Sequence, residues 1–373
     1  MPCLRPLLAT LLLATLTACG GSDSGSGNTF TVADVEFSGP TLVVAAADFT
    51  GAEGVVFAAD PADATRLASG PDPVSTDVVL RAADGRVYAL NRTAGNLQLL
   101  DPARGLATGT SQFSTGAGSN PHDLAVVDGR AYVSRYGLAS LLVIDPTTGS
   151  ELATIDLATL ADGDQIPEMD RLAVWQGKLV VTLQRLDENS FFAPTDHSSV
   201  AIVDPTTNQL TGHFDLASPN PVSALASDGN ALFVATTGSW GVADGGIERL
   251  NPDLTGSTTV VEGAELDGDL GELAIVSPTK GYVVVSGLDW ENPNNRVVAF
   301  NPTSGAIGAT VYQTAAYLPE IATSPDHAWL AIADRNPAAP GVVLVDPATD
   351  QVVSTAPINN GERLPPSSLL FLP

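Results

Sequence analysis

Residues 122–157 read HDLAVVDG, RAYVSRYG, LASLLVIDPTTG and SELATIDL in succession. Each of the four pieces holds a short run rich in Val, Leu, Ile, Ala and Tyr, and each break carries Gly, Asp, Pro or Thr. Runs of this length bounded by such residues are strands separated by turns. Asp128-Gly129 suits a tight hairpin, because Gly accepts a positive φ without steric cost. At Asp145-Pro146-Thr147-Thr148-Gly149 the proline presets φ and the glycine closes a slightly longer turn. The stretch therefore predicts four antiparallel strands, a to d, that meander in order.

The same unit recurs along the chain. Its marker is the Asp-Pro or Asn-Pro turn between strands c and d, found at Asp60, Asp101, Asp145, Asp204, Asn251, Asn301 and Asp346. The mean spacing is about 48 residues, within the range of propeller blades. One four-stranded sheet cannot bury both of its faces. Seven packed radially can, and closing the ring leaves only short outer edges. The expected fold is all-β: a seven-bladed β-propeller of four-stranded antiparallel blades.

The repeats resemble the YVTN-type (WD40-like) propeller family. The resemblance lies in Ala131-Tyr132-Val133-Ser134-Arg135, followed by Leu141-Leu142-Val143-Ile144-Asp145-Pro146-Thr147-Thr148-Gly149. Further copies are Arg86–Asn91, Ser199–Asn208 and Val342–Asp350. This resemblance implies the fold and says little about function, because propellers host many activities.

The chain opens with a lipoprotein-type leader over residues 1–18. Arg5 supplies a positive charge, Leu7 to Thr17 is apolar but too short to span a bilayer, and Leu16-Thr17-Ala18-Cys19 matches a lipobox. The expected product is lipidated on Cys19, and several acyl chains make such an anchor durable. Gly20 in the second position favours the outer membrane over inner-membrane retention. Residues 19–29 form a Gly/Ser tether whose average reach is roughly 15–20 Å, leaving residues 30–373 as the propeller. The expected location is the bacterial cell envelope, with the membrane as partner through the lipid.

Cys3 and Cys19 are the only cysteines, so no thiol remains for a disulfide or a metal site. The formal net charge is −26, with only Lys178 and Lys280 as lysines. So acidic a chain repels nucleic acid and anionic lipid. Expected partners are an envelope protein or a glycan, and the propeller is expected to be monomeric.

Thr41 to Ala47, Val55 to Ala58 and Thr65 to Ala68 read as strands b, c and d of blade 1, which lacks an inner strand. The chain ends on Ser367-Ser368-Leu369-Leu370-Phe371-Leu372 with no strand b to follow. The C-terminus is therefore expected to supply strand a and close the ring, in competition with Asp34 to Phe37. Strand direction then puts the d–a and b–c loops on one face and the Asp-Pro turns on the other, where their carboxylates cap turns.

The b–c loops of blades 4, 5 and 6 are enlarged: residues 185–198, 237–246 and 287–295. Insertions on a rigid scaffold are where binding concentrates. They carry Phe191, Phe192, Trp240 and Trp290 beside Asp187, Glu188, Asp196, Asp244, Asp289 and Glu291. Phe191, Phe192, Trp240, Trp290, Asp289 and Glu291 are the candidate ligand-binding residues. The aromatics either stack on a sugar, a cation or a peptide, or fold under their loops as small cores.

Two d–a connections are acidic: Asp162-Gly163-Asp164, continuing to Asp170, and Asp267-Gly268-Asp269 with its flanks. Such loops can offer oxygens to Ca²⁺ or another divalent metal, though neither has EF-hand spacing. Aligning strand a of each blade places Asp77, Asp123, Arg171, Ala224, Glu272, Glu320 and Ser368 in one ring at the channel mouth. Ion pairs with Arg92, Arg135, Arg185 and Arg335 would neutralise it; a cation held by Asp123, Glu272 and Glu320 is the alternative. His122 and His197, with Asp123 and Asp196, are a further metal-site candidate.

No nucleophile elbow, zinc-protease, haem-attachment or dinucleotide motif is present, so no catalytic residue is assigned. The reading is a lipid-anchored binding or scaffold propeller that recognises its ligand on the b–c/d–a face of blades 4 to 6. The alternative is a metal-dependent propeller hydrolase working at the channel mouth.

Overall fold

The computed structural model describes residues 29–32, 35–51, 53–108 and 112–373. The expected leader, Cys19 and the expected tether up to residue 28 lie outside the described residues.

Seven four-stranded antiparallel sheets follow one another around a ring. Blades 2 to 7 begin with inner strands Val78–Ala83, Pro121–Val127, Met169–Trp175, Ala226–Ser227, Asp269–Ser277 and Ile321–Thr323. In each, strands b, c and d follow in chain order. Blade 1 takes strand a from the C-terminus: Pro366–Leu372 pairs with Thr41–Ala46, with Thr41 opposite Leu372 and Ala45 opposite Ser368. The competing segment does something else. Val35–Ser38 folds back on Thr29–Val32 as a separate hairpin, and Phe37 packs into the seam between blades 1 and 2.

The hydrophobic core is divided into seven clusters, one for each seam between neighbouring blades. Strand b faces a neighbour on both sides, so its middle is mostly apolar; Thr41–Ala46 is buried at every position. Strand d lies at the rim, and Glu151–Asp156 buries little beyond Ile155. Continuous apolar runs inside and alternating ones outside are what a radially packed ring requires. The repeat's tyrosines cross the seams. Tyr132 Oη donates to Pro205 O at 3.0 Å, and Tyr282 Oη donates to Asp350 Oδ1 at 2.6 Å, each in a c–d turn of the next blade.

The Asp-Pro turns cap themselves. Asp60, Asp101, Asp145, Asp204, Asn301 and Asp346 each accept the N–H two residues on, at 2.7–2.9 Å. Asn251 instead uses its backbone carbonyl, which accepts from Leu254 N at 2.8 Å. The repeated carboxylates on this face are thus spent on turn geometry.

Candidate functional site

On the opposite face the enlarged loops surround a cleft of about 950 Å³ over the channel mouth. Its rim is aromatic. The blade 4 insertion is a small hairpin, Leu186–Asp187 against Ala193–Pro194, with Phe191 and Phe192 at its tip. Both phenylalanines have left-handed backbone, φ 58° and 55°, which places their side chains outward. Asp187 holds this tip by accepting from Asn189 N at 2.9 Å and Ser190 Oγ at 2.6 Å. In blade 5, Asp244 accepts from Ser239 N at 2.7 Å and closes the turn that carries Trp240. In blade 6, Asp289 accepts from Glu291 N at 3.0 Å and Asn292 N at 3.2 Å, beneath Trp290.

The flagged carboxylates Asp187, Asp244 and Asp289 therefore brace their own loops, and the aromatics stay open. Phe191 is 96% exposed, Trp290 75% and Trp240 51%. Gly241 explains how the two indole loops meet: a Cβ there would lie 3.4 Å from Trp290 Nε1, and its φ is +75°. Asp269, buried beneath, accepts from Gly241 N at 2.9 Å and fixes the contact. Tyr317, also exposed, continues the rim toward blade 7.

The floor is a polar chain. Arg92 Nη2 donates to His122 Nε2 at 2.5 Å, and His122 Nδ1 donates to Asp170 Oδ1 at 2.8 Å. Asp170 Oδ2 is 3.5 Å from Arg171 Nε, and Arg171 pairs in turn with Glu272. Tyr136 stacks on the imidazole, centroids 4.2 Å apart, and donates to Gln184 Oε1 at 2.8 Å. Burial, and then the Arg92 charge, push the His122 pKa down to about 4 against the pull of Asp170. The imidazole is neutral at pH 7, with one nitrogen donating and the other accepting. That arrangement orients Arg92 and leaves no free basic nitrogen.

Deeper in the channel, Arg81 pairs with Asp123 at 2.5 Å and with Glu320 at 3.5 Å. The remaining carboxylate oxygens cap neighbouring strands. Asp123 accepts from Leu172 N at 2.8 Å, Glu272 from Ala224 N at 2.9 Å and Glu320 from Leu369 N at 2.9 Å. Ser368 Oγ accepts from Leu80 N at 2.9 Å in the same way. The expected ring exists, with two corrections. Asp77 is not in it: it sits at the loop face and pairs with Arg92 at 3.3 Å. The neutralising arginines are Arg81 and Arg171, which point inward from strands a. Arg135 and Arg335 instead donate to loop carbonyls, among them Ser140 O at 2.8 Å and Ala47 O at 3.1 Å. Arg185 donates to His197 O at 3.1 Å.

The metal candidates fall apart into separate settings. Among the described residues, no three His, Cys, Asp or Glu side chains already form a group that could hold a metal ion. Asp267 is exposed at the end of the short helix Gly263–Leu266, whereas Asp269 is buried under the Trp240 loop. His197 lies against Asp196 at 3.0 Å and Asp215 at 3.4 Å, apart from the His122–Asp170 pair. Asp162 and Asp164 are part of a third environment, with Glu168, where buried oxygens lack partners. Arg81, Tyr136 and Gln184 were not singled out from the sequence, and Asp170 was read only as the end of an acidic connection, although the repeat spacing marks three of the four.

No protein-family model matches the chain, and no curated protein matches it. Solved structures do. A Kuenenia stuttgartiensis hydrazine synthase chain is 13% identical with a TM-score of 0.58, over 79% of this chain and 90% of that one. A functionally unknown protein from Desulfotomaculum acetoxidans is 14% identical with a TM-score of 0.56, over 90% and 99%. Apo AztD from Citrobacter koseri is 12% identical with a TM-score of 0.50, over 89% and 98%. At these identities the likeness establishes the propeller fold alone.

Proposed function

We propose that the chain is a lipid-anchored binding propeller of the bacterial cell envelope that takes a neutral glycan in the cleft above blades 4 to 6. The lipobox ending on Cys19 supports the anchor, and the YVTN-like repeats suit a rigid display scaffold. The observation that carries the reading is the aromatic rim. Phe191, Phe192, Trp240 and Trp290 are held outward by loops whose own carboxylates brace them. Preorganised aromatic faces lose little entropy on binding. With Asp187, Asp244 and Asp289 engaged in their loops, recognition of a cation is less favoured than stacking on a sugar face. The indole N–H groups and Arg92 remain as donors to hydroxyls. Asp123, Glu272 and Glu320 are each ion-paired with arginine, which weighs against a channel-mouth metal hydrolase.

The test is retention of the purified protein in native gels cast with neutral polysaccharides, followed by a glycan array. Wild type is expected to bind, and the double variant Trp240→Ala/Trp290→Ala to lose binding while keeping its circular dichroism. Binding that survives in the double variant, or wild type that is retained by no neutral glycan, overturns the reading.

A further inference from the structure

We propose that the loop from Asp162 to Glu168, between blades 3 and 4, is a calcium site in which Asp162, Asp164 and Glu168 supply carboxylate oxygens to one ion. This stands apart from the glycan reading. Among the described residues eight buried side-chain polar atoms have no hydrogen-bond partner, and four of them belong to this one place. They are Asp162 Oδ2, Asp164 Oδ2, Glu168 Oε1 and Arg185 Nε.

Each carboxylate spends one oxygen on the loop and keeps the other. Asp162 Oδ1 accepts from Asp164 N at 3.2 Å, and Asp164 Oδ1 accepts from Ile166 N at 2.9 Å. Glu168 Oε2 accepts from Leu186 N at 2.9 Å. Glu168 is fully buried, and its other oxygen has no protein partner. A buried carboxylate without a counter-charge is strongly disfavoured, so burial raises the Glu168 pKa, and a bound cation would supply the missing charge. Arg185 supplies that charge only in part: it acts on Asp162, but its Nη1 is directed to His197 O at 3.1 Å and lies 3.6 Å from Asp196. Three neighbouring carboxylates are left with one oxygen each outside any hydrogen bond, and Arg185 Nε in the same place is likewise unpaired.

The donor set selects the ion. Only oxygens are offered, which suits a hard cation. Mg²⁺ demands near-ideal octahedral geometry, whereas Ca²⁺ accepts about six to eight oxygens in adaptable arrangements. A seven-residue loop with Gly163 and left-handed Gln165 supplies the second kind of site, completed by loop carbonyls and water. The three side chains do not yet converge as a finished centre, so binding includes closure of the Asp162–Asp164 turn onto Glu168. Because Glu168 also holds Leu186 N, the ion would brace the hairpin that carries Phe191 and Phe192.

Calorimetric titration of the chelator-treated full chain with calcium chloride tests this, alongside thermal unfolding with and without the ion. One equivalent should bind, Tm should rise with Ca²⁺ and much less with equal Mg²⁺, and Asp164→Asn should weaken binding at least tenfold. Glu168→Gln keeps the acceptor for Leu186 N, so it should stay folded in chelator while losing the calcium response. Asp267→Asn, an exposed carboxylate elsewhere, is the control for loose screening of an acidic surface. No saturable binding at millimolar Ca²⁺ overturns the proposal. So does binding that Asp164→Asn and Glu168→Gln leave unchanged.

Discussion

Replacing His122 should flatten one part of the protein's pH dependence. The imidazole faces Arg92, Asp170, Arg171 and the ring of Tyr136, and burial with Arg92 lowers its pKa from 6.5 to about 4. A base with a lowered folded pKa binds its proton more readily when the chain unfolds. Its stabilising effect is complete above pH 6.5 and is lost as the pH falls toward 4. The whole difference corresponds to about 3 kcal/mol, of which about 2 kcal/mol disappears between pH 7 and pH 5. Glu168 works in the opposite sense over the same window, because burial pushes its carboxyl up to about 8. The wild-type curve therefore does not isolate the imidazole, but a difference does. Gln in place of His122 keeps a donor for Asp170 and cannot titrate. Urea unfolding of both proteins at pH 7 and pH 5 should show the wild-type advantage shrinking by about 2 kcal/mol on acidification. An advantage that stays constant within about 0.5 kcal/mol would refute the claim that His122 is held neutral.

Two further outcomes follow from the ring. A chain ending before Pro366 loses strand a of blade 1 and bares the edge of Thr41–Ala46 together with two seams; circular dichroism and gel filtration should show loss of the compact β fold. Arg171→Met strands Asp170 and Glu272 in a buried setting, so urea unfolding should report a loss of about 3–5 kcal/mol. Adding Glu272→Gln should recover part of that loss.

The fold was legible because its marker is local. Such a turn is read within five residues, and seven Asp-Pro or Asn-Pro turns at a mean spacing of about 48 residues leave few architectures. Closure by the C-terminus was legible for a similar reason, since one blade lacked an inner strand and one strand lacked a blade. The channel ring was legible only in part. Strands a of blades 3, 4 and 6 begin with a register shift, at Pro121/Asp123, Met169/Leu172 and Leu270/Leu273, while blade 2 pairs Val78–Ala83 without one. Counting inward from the loop therefore put Asp77 where Val79 stands, and it hid Arg81. The loop aspartates show a different limit. Asp187, Asp244 and Asp289 carry the same side chain whether they meet a ligand or cap a turn, and only the position of the next N–H decides.

Contacts between blades obey a rule that the sequence already contained. Neighbouring blades stand side by side at one height, so residues one repeat apart meet at the channel. His122 meets Asp170 and Tyr136 meets Gln184, each 48 residues on. Ala224 N reaches Glu272 at a separation of 48, and Asp123 reaches Leu172 N at 49. A search for complementary polar side chains one period apart would have found the floor of the cleft, including Asp170 and Gln184. It would not have found the Arg171–Glu272 pair, which spans 101 residues and crosses the channel over two repeats. The geometry that makes the ring rigid also makes its polar partners periodic, so the site is readable where the blades are regular and opaque where loops depart from the repeat.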